Sequence, residues 1–139
     1  MPRLRLKIAT PKKLLYDGEA DMVILRTSTG DMGILPGHHR VSAIMGYGAL
    51  KIVDGENKSE VAVMGGLAQV SGDAVTVLSE VAEWPSEISL IRAEAALERA
   101  RQRLAQKDSD VDMQRAELSL RRALVRIEVS SYPIIRPGK

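Results

Sequence analysis

The sequence predicts an all-β sandwich followed by an antiparallel two-helix hairpin. Ten of the eleven glycines precede residue 73, and the same part of the chain contains short runs in which apolar and polar residues alternate. Beyond residue 85 the apolar residues instead recur every three or four positions. Many short strands with glycine-rich turns are typical of a sandwich, and the later spacing is typical of helices. We therefore predict a β domain over residues 1–85 and a helical domain over residues 86–139.

The β domain opens with the run RLRLKIA, in which Leu4, Leu6 and Ile8 alternate with basic residues. This period of two predicts a half-buried strand. Similar runs predict five more strands, at residues 21–27, 48–54, 59–65, 67–72 and 74–80. The intervening segment 28–40, STGDMGILPGHHR, is predicted to be a glycine-shaped loop.

The helical domain contains two apolar stripes with alternating steps of three and four residues. The stripes are Leu90, Ala93, Leu97, Ala100 and Leu104, then Met113, Ala116, Leu120, Ala123 and Ile127. Ser86 is the predicted N-cap of the first helix, and prolines at positions 133 and 137 predict a loose tail over residues 130–139. An alanine buries little apolar area, so a hairpin with this seam is marginal alone and must dock on another surface.

Composition excludes several classes of function. The chain has no cysteine, which removes disulfides and thiolate metal sites. No apolar run approaches the ~20 residues that cross a bilayer, and the first residues lack a signal-peptide pattern. We therefore expect a soluble, cytoplasmic chain whose association with a membrane goes through a partner.

Charge is unevenly distributed along the chain. Residues 1–85 hold nine basic and ten acidic side chains, whereas residues 86–139 hold eleven and eight. With three Tyr, one Trp and no Phe, the basic hairpin lacks the interleaved aromatic residues that favour nucleic-acid binding.

No nucleophile with a base, phosphate loop or pair of catalytic carboxylates is apparent, so we expect no catalysis. The pair His38 and His39 predicts no metal site, because adjacent side chains diverge and further ligands are missing.

Several arginines of the hairpin lack an acidic residue three or four positions away, where helical neighbours lie. Among them are Arg92, Arg99, Arg122 and Arg126. One interpretation is a solvated basic face, or pairing across the helices with Glu94 or Glu98. The other is an anion site, since planar guanidinium groups bind phosphate oxygens in pairs.

Several motifs together resemble the epsilon subunit of bacterial F-type ATP synthase. They are Thr10-Pro11, the GILPGH of residues 33–38, the VMGG of residues 63–66 with Val70, the IRA of residues 91–93, and the QRAELSLRRA of residues 114–123. The resemblance covers essentially the whole chain. It implies a non-catalytic subunit of the central stalk in a proton-translocating synthase, peripheral to the cell membrane on its cytoplasmic side.

The resemblance also implies how the two domains are used. A sandwich of about ten strands would lie beside the gamma subunit and on the c-ring, with Asp31 and His38 in contact with the c-ring. The hairpin would either fold on the sandwich or extend along gamma toward the alpha and beta subunits, and so restrain ATP hydrolysis. Its contacts with acidic residues of beta would come from Arg115, Arg121, Arg122 and Arg126.

Some members of this family bind ATP on the folded hairpin through the motif I/L-D-x-x-R-A. The matching residues are Ile88, Ser89, Arg92 and Ala93, together with Glu83, Arg99, Arg122 and Arg126. Ser89 stands where the motif has an acid. The resemblance therefore implies no required cofactor and ATP as a candidate regulatory ligand. The alternative function is a free-standing module that binds nucleotides or nucleic acids.

Overall fold

A computed structural model describes residues 2–106 and 110–130 of the chain. Ten strands precede two helices, in agreement with the predicted sandwich and hairpin. The strands are β1 (Leu4–Ala9), β2 (Leu14–Ala20), β3 (Met22–Thr27), β4 (Gly30–Ile34), β5 (His38–Ile44), β6 (Tyr47–Asp54), β7 (Asn57–Met64), β8 (Leu67–Gly72), β9 (Ala74–Leu78) and β10 (Val81–Glu83). A 3₁₀ turn at Pro85–Glu87 leads to α1 (Leu90–Gln106) and α2 (Asp110–Ser130). Of the predicted tail, residues 131–139 lie outside the described ranges.

The strands form two five-stranded sheets that pack face to face. The first sheet has the order β2-β1-β9-β8-β5 and the second has the order β10-β7-β6-β3-β4. Neighbouring strands are antiparallel except for β1 and β9, which run parallel. The inward side chains are fully buried and aliphatic, among them Leu4, Leu6, Ile8, Val23, Leu25, Leu50, Ile52, Val61, Val63, Val75 and Val77. These are the residues that the alternating pattern of the β domain directs to one face of each strand.

The prediction of a loop over residues 28–40 is wrong. Residues 30–34 form β4 and residues 38–44 form β5, so that only short turns remain. β4 lies at the edge of the second sheet and β5 at the edge of the first, which gives the sandwich one open side. Edge strands expose alternate polar residues and glycines, and this segment therefore lacks the apolar alternation of a central strand.

The hairpin lies on the outer face of the second sheet. The seam alanines of its two helices, Ala93, Ala100, Ala116 and Ala123, are all buried. α2 contacts β6 and β7, and it supplies the main attachment of the hairpin to the sandwich. The expectation that the hairpin docks on another surface is therefore confirmed.

Candidate functional site

The attachment of α2 rests on a small apolar cluster, which we call the docking patch. The patch consists of Ala49 on β6, Ala62 on β7, and Val125 and Val129 on α2, with Tyr47 and Ile88 packed around them. Two of the four buried residues are alanines, so at roughly 25 cal/mol per Å² the patch contributes little adhesion for its size. Docking of α2 must depend partly on polar contacts around the patch.

One of these polar contacts is a two-bond ion pair between Glu83 and Arg126. Arg126 Nε donates a hydrogen bond to Glu83 Oε1 at 2.8 Å, and Nη2 donates to Oε2 at 3.1 Å. The two side chains are about one-third exposed, with 26% of Glu83 and 32% of Arg126 accessible. Paired bonds of this kind are directional as well as charged. The pair therefore fastens α2 to the last strand of the sandwich.

This pairing corrects one interpretation of the unpaired arginines. Arg126 pairs with the sandwich rather than with Glu94 or Glu98 of α1. Beside it on α2, the buried Nε of Arg122 receives no partner from the described residues. Arg92 and Arg99 are exposed on α1. Of the predicted nucleotide residues, the structure thus brings Glu83 and Arg126 into contact and leaves one donor of Arg122 unsatisfied.

The motif residues around Ser89 have structural roles of their own. Ser89 is the N-cap of α1, because its Oγ accepts a hydrogen bond from the Arg92 backbone N–H at 3.3 Å. Ser86 is therefore not the cap, and it lies instead in the 3₁₀ turn. Ile88 packs on the docking patch, and Ala93 is buried in the helix seam. Aspartate and serine are both favoured N-caps, so Ser89 preserves the start of the helix while removing a charge.

A second contact ties the start of the hairpin to the sandwich. Glu87 Oε1 accepts a hydrogen bond from the Trp84 backbone N–H at 2.9 Å, and its other oxygen pairs with Lys13 Nζ. Burial favours protonation of Glu87, but these hydrogen bonds outweigh it and lower the pKa of the carboxyl group. The connection between the sandwich and the hairpin, at residues 84–88, is therefore fixed by two contacts of Glu87, one to the Trp84 backbone and one to Lys13.

The predicted c-ring residues lie on the open side of the sandwich. Asp31 pairs with Arg26 on the neighbouring strand, with Arg26 Nε 2.6 Å from Asp31 Oδ1. A groove of about 510 Å³ between β4 and β5 is lined by Asp31 and Ser42 among others. His38 lies at the far end of β5, four residues from Ser42, which corresponds to roughly 13 Å along a strand. The two residues therefore share an edge without forming one cluster.

The expectation that His38 and His39 diverge is wrong. Their rings stack with centroids 4.4 Å apart, and His38 Nδ1 lies 2.8 Å from the His39 carbonyl oxygen. The pairing of β5 with β8 shifts register between His38 and Val41, and such an irregularity breaks the alternation of side chains. Within residues 2–106 and 110–130, no group of three His, Cys, Asp or Glu residues has the arrangement of a metal site.

A buried carboxylate beneath α2 was not predicted. Glu60 on β7 is only 5% exposed, and its Oε1 has no hydrogen-bond partner among the described residues. Burial raises the pKa of Glu60, Lys51 opposes this effect, and Glu128 on α2 adds to it. The signal in the sequence is the nearly continuous apolar run after Glu60, which indicates a strand covered on both faces.

The outer face of the first sheet carries a row of exposed aliphatic side chains. Ile44, Leu67, Leu78, Ala9 and Leu14 are successive register partners across all five strands. Four of them are large and exposed, including Ile44 at 65% and Leu78 at 53%. A contiguous apolar row on a surface is typical of a protein interface.

In the described part of the chain, neither helix is long and apolar enough to span a bilayer.

The chain matches two family models that divide it near residue 85. Residues 3–85 match the beta-sandwich domain of the ATP synthase delta/epsilon chain, and residues 86–131 match its long alpha-helix domain. The ATP synthase epsilon chain of Brevibacillus brevis is 42% identical over 131 residues, which cover 94% of this chain and 99% of the relative. That of Alkalihalophilus pseudofirmus is 45% identical over 104 residues, or 75% of this chain and 78% of the relative.

A solved structure has the same fold. A chain in the Euglena gracilis mitochondrial ATP synthase, in an assembly of OSCP, F1 and the c-ring, superposes with a TM-score of 0.83 at 22% identity. The match covers 95% of this chain and 83% of that one. Family and fold agree, which decides against a free-standing nucleotide- or nucleic-acid-binding module. The chain belongs to the delta/epsilon chain family of ATP synthase, alongside the bacterial ATP synthase epsilon chains.

Proposed function

We propose that this chain is a non-catalytic central-stalk subunit whose sandwich binds the gamma subunit and the c-ring and whose hairpin is a removable brake on ATP hydrolysis. The observation that carries the proposal is the narrow attachment of α2, which consists of the docking patch and the Glu83–Arg126 pair. An arm held by few contacts exchanges between positions when the second position offers a few kcal/mol. The subunit would lie at the cell membrane, peripherally and on the cytoplasmic side.

The exposed aliphatic row supports a large partner for the sandwich. The outer face of the second sheet is covered by α2, whereas the outer face of the first sheet carries Ile44, Leu67 and Leu78 uncovered. Removing an aliphatic face of this kind from water is favourable, so the face favours binding of a partner that covers it. We assign the gamma subunit to this face and the c-ring to the open side with Asp31 and His38.

The brake would act through the basic residues of α2. Arg115 and Arg121 are exposed in the docked hairpin, whereas Arg126 is occupied by Glu83 and Arg122 is half-buried. If these four residues bind acidic side chains of beta, Arg126 must first leave Glu83. Docking on the sandwich and binding to beta therefore exclude one another at this residue, as a brake with two positions requires.

ATP is proposed as a regulatory ligand of the docked hairpin. The buried Nε of Arg122 has no acceptor among the described residues, and Arg126 and Glu83 lie beside the start of the hairpin. A triphosphate would supply acceptors to Arg92, Arg99 and Arg122. Binding to the docked form alone would favour docking and so release the brake.

Deletion of residues 86–139 in the assembled synthase tests the proposed function. The sandwich has its own core, so assembly and ATP synthesis should persist while ATP hydrolysis increases. The increase should be smaller at high salt, where charge contacts of the intact arm are already weakened. An assembled enzyme that hydrolyses ATP no faster after the deletion, at low and high salt, would rule out the brake.

A further inference from the structure

Arg26 interacts with Asp31 on one side and with Glu60 and Glu128 on the other. On one side its Nε donates a hydrogen bond to Asp31 on β4 at 2.6 Å. This hydrogen bond is the main reason that the pKa of Arg26 is raised, and the charges of Glu128 on α2 and Glu60 on β7 contribute further. Arg26 therefore interacts both with the open side of the sandwich and with the surface beneath α2.

The carboxylate beneath α2 still needs a donor. Glu60 Oε1 is buried and receives no hydrogen bond from residues 2–106 or 110–130, although Lys51 lies opposite Glu60 in the β6–β7 register. A buried acceptor without a partner carries a free-energy cost. A guanidinium has five N–H donors, and the Asp31 bond is made by Nε alone.

The geometry around Arg26 leaves room for its guanidinium to turn. Arg26 and Glu128 line one groove of about 600 Å³ between the sandwich and α2, together with Tyr47 and Arg121. The guanidinium rests against the bare backbone of Gly48, where a Cβ would lie 2.5 Å from Arg26 Nη1. The Asp31 side of the Arg26–Asp31 pair is open to a partner, since 48% of the Asp31 side chain is accessible.

We propose that Asp31 on one side, and Glu60 on β7 with Glu128 on α2 on the other, share Arg26, so that a cationic group binding Asp31 strengthens the docking of α2. When a partner's cation occupies Asp31, Arg26 turns toward Glu60 and Glu128 and stabilises the docked hairpin. By linkage, docking of the hairpin raises the affinity of Asp31 for that cation. The proposed function enters only in naming the c-ring as the partner at Asp31, because the sharing itself is a property of the isolated chain.

Amide hydrogen exchange of the isolated full chain tests the sharing without other subunits. Asp31→Asn imitates loss of the competing carboxylate charge, so α2 amides should exchange about two- to fivefold more slowly, the range of an exposed ion pair. Asp17→Asn is the matched control, because Asp17 pairs with Arg5 at the same 2.6 Å but on the first sheet. In a Glu60→Gln background, the effect of Asp31→Asn should shrink or disappear.

Protection of the β6 and β7 amides reports in the same experiment that each variant remains folded. Unchanged exchange of α2 in Asp31→Asn would overturn the proposal. So would equal slowing in Asp17→Asn, or an undiminished effect of Asp31→Asn in the Glu60→Gln background. Because no other subunit is present, these outcomes are independent of whether the hairpin restrains hydrolysis in the assembled enzyme.

Discussion

Arg126 on α2 and Glu83 at the end of β10 form a two-bond ion pair, at 2.8 and 3.1 Å, that joins the helical domain to the sandwich. The two residues are separated by 42 positions of sequence that contain all of α1. Because the pair lies beside the small docking patch, it controls how firmly α2 is held. The same arginine is one of those that the family resemblance assigns to the inhibitory contact with beta.

Replacing Glu83 should loosen the hairpin without unfolding the sandwich. Glu83→Gln removes the charge of a partly exposed pair, so we expect the docked state to lose about 1 kcal/mol. Amides of α2 should then exchange about fivefold faster, while those of β6 and β7 stay protected. Glu80→Gln, an exposed change three residues earlier, is the control. Equal exchange of α2 in the two variants would show that the pair does not hold the helix.

The pH dependence of stability should reveal the buried Glu60. Burial raises its pKa in the folded chain, so its contribution is complete below the unfolded-state pKa and is lost as pH rises through the folded-state value. The stability of Glu60→Gln relative to the wild type should therefore increase as pH rises through this range, as measured by urea unfolding.

Glu87→Gln is the control of opposite sign. The pKa of Glu87 is lowered, so its contribution is present above the unfolded-state pKa and is lost as pH falls through the folded-state value. The stability difference between Glu87→Gln and the wild type should shrink with acidification. A Glu60→Gln variant whose relative stability does not change with pH would contradict the assigned burial.

Substitutions of Ser89 separate helix capping from nucleotide binding. Ser89→Ala removes the N-cap and should cost about 1 kcal/mol of helix stability, whereas Ser89→Asn and Ser89→Asp retain a capping oxygen. Only Ser89→Asp restores the acid of the family motif, so calorimetry with ATP should give tighter binding for this variant than for the wild type. If Ser89→Asn and Ser89→Asp bind ATP equally, the carboxylate has no role in nucleotide binding.

A charge in the aliphatic row should weaken assembly with gamma. Leu78 is 53% exposed, so Leu78→Glu is tolerated by the fold but places a carboxylate in the middle of the row. We expect reduced co-purification with the gamma subunit. Lys58→Glu, an exposed charge change on β7 of the other sheet, should leave it intact. Full recovery of gamma with Leu78→Glu would move the interface to another face.

The alternation of apolar and polar residues predicted the central strands, and the steps of three and four residues predicted the helix seam. Both patterns arise because an element that is buried on one face repeats its apolar residues at a fixed spacing. They missed β2, β4, β5 and β10, which are the four edge strands of the two sheets and lack the apolar alternation of the central strands. They also missed the second apolar face of α2, where Val125 and Val129 meet the sandwich outside the heptad stripe. The spacing of four between these two valines was the available signal.

Local spacing could not predict contacts between residues that are distant in the sequence. The rule of three or four residues left Arg126 unpaired, and its partner Glu83 lies in another domain. The same rule cannot pair Lys13 with Glu87, which are joined only when the sandwich has folded. The residues of the candidate nucleotide site came from the family resemblance, and the structure adds the capping role of Ser89 and the unpartnered Nε of Arg122.

Fixing the hairpin to the sandwich in the assembled synthase tests whether the hairpin must leave the sandwich in order to restrain ATP hydrolysis. The chain has no cysteine, so Glu83→Cys with Arg126→Cys can be bridged by a short thiol-to-thiol reagent. The unbridged double variant and each reagent-treated single variant are the controls. If the hairpin must leave the sandwich to act, the bridged enzyme should hydrolyse ATP as fast as one lacking residues 86–139. Hydrolysis that stays as restrained in the bridged enzyme as in the unbridged one would show that the hairpin does not need to leave the sandwich.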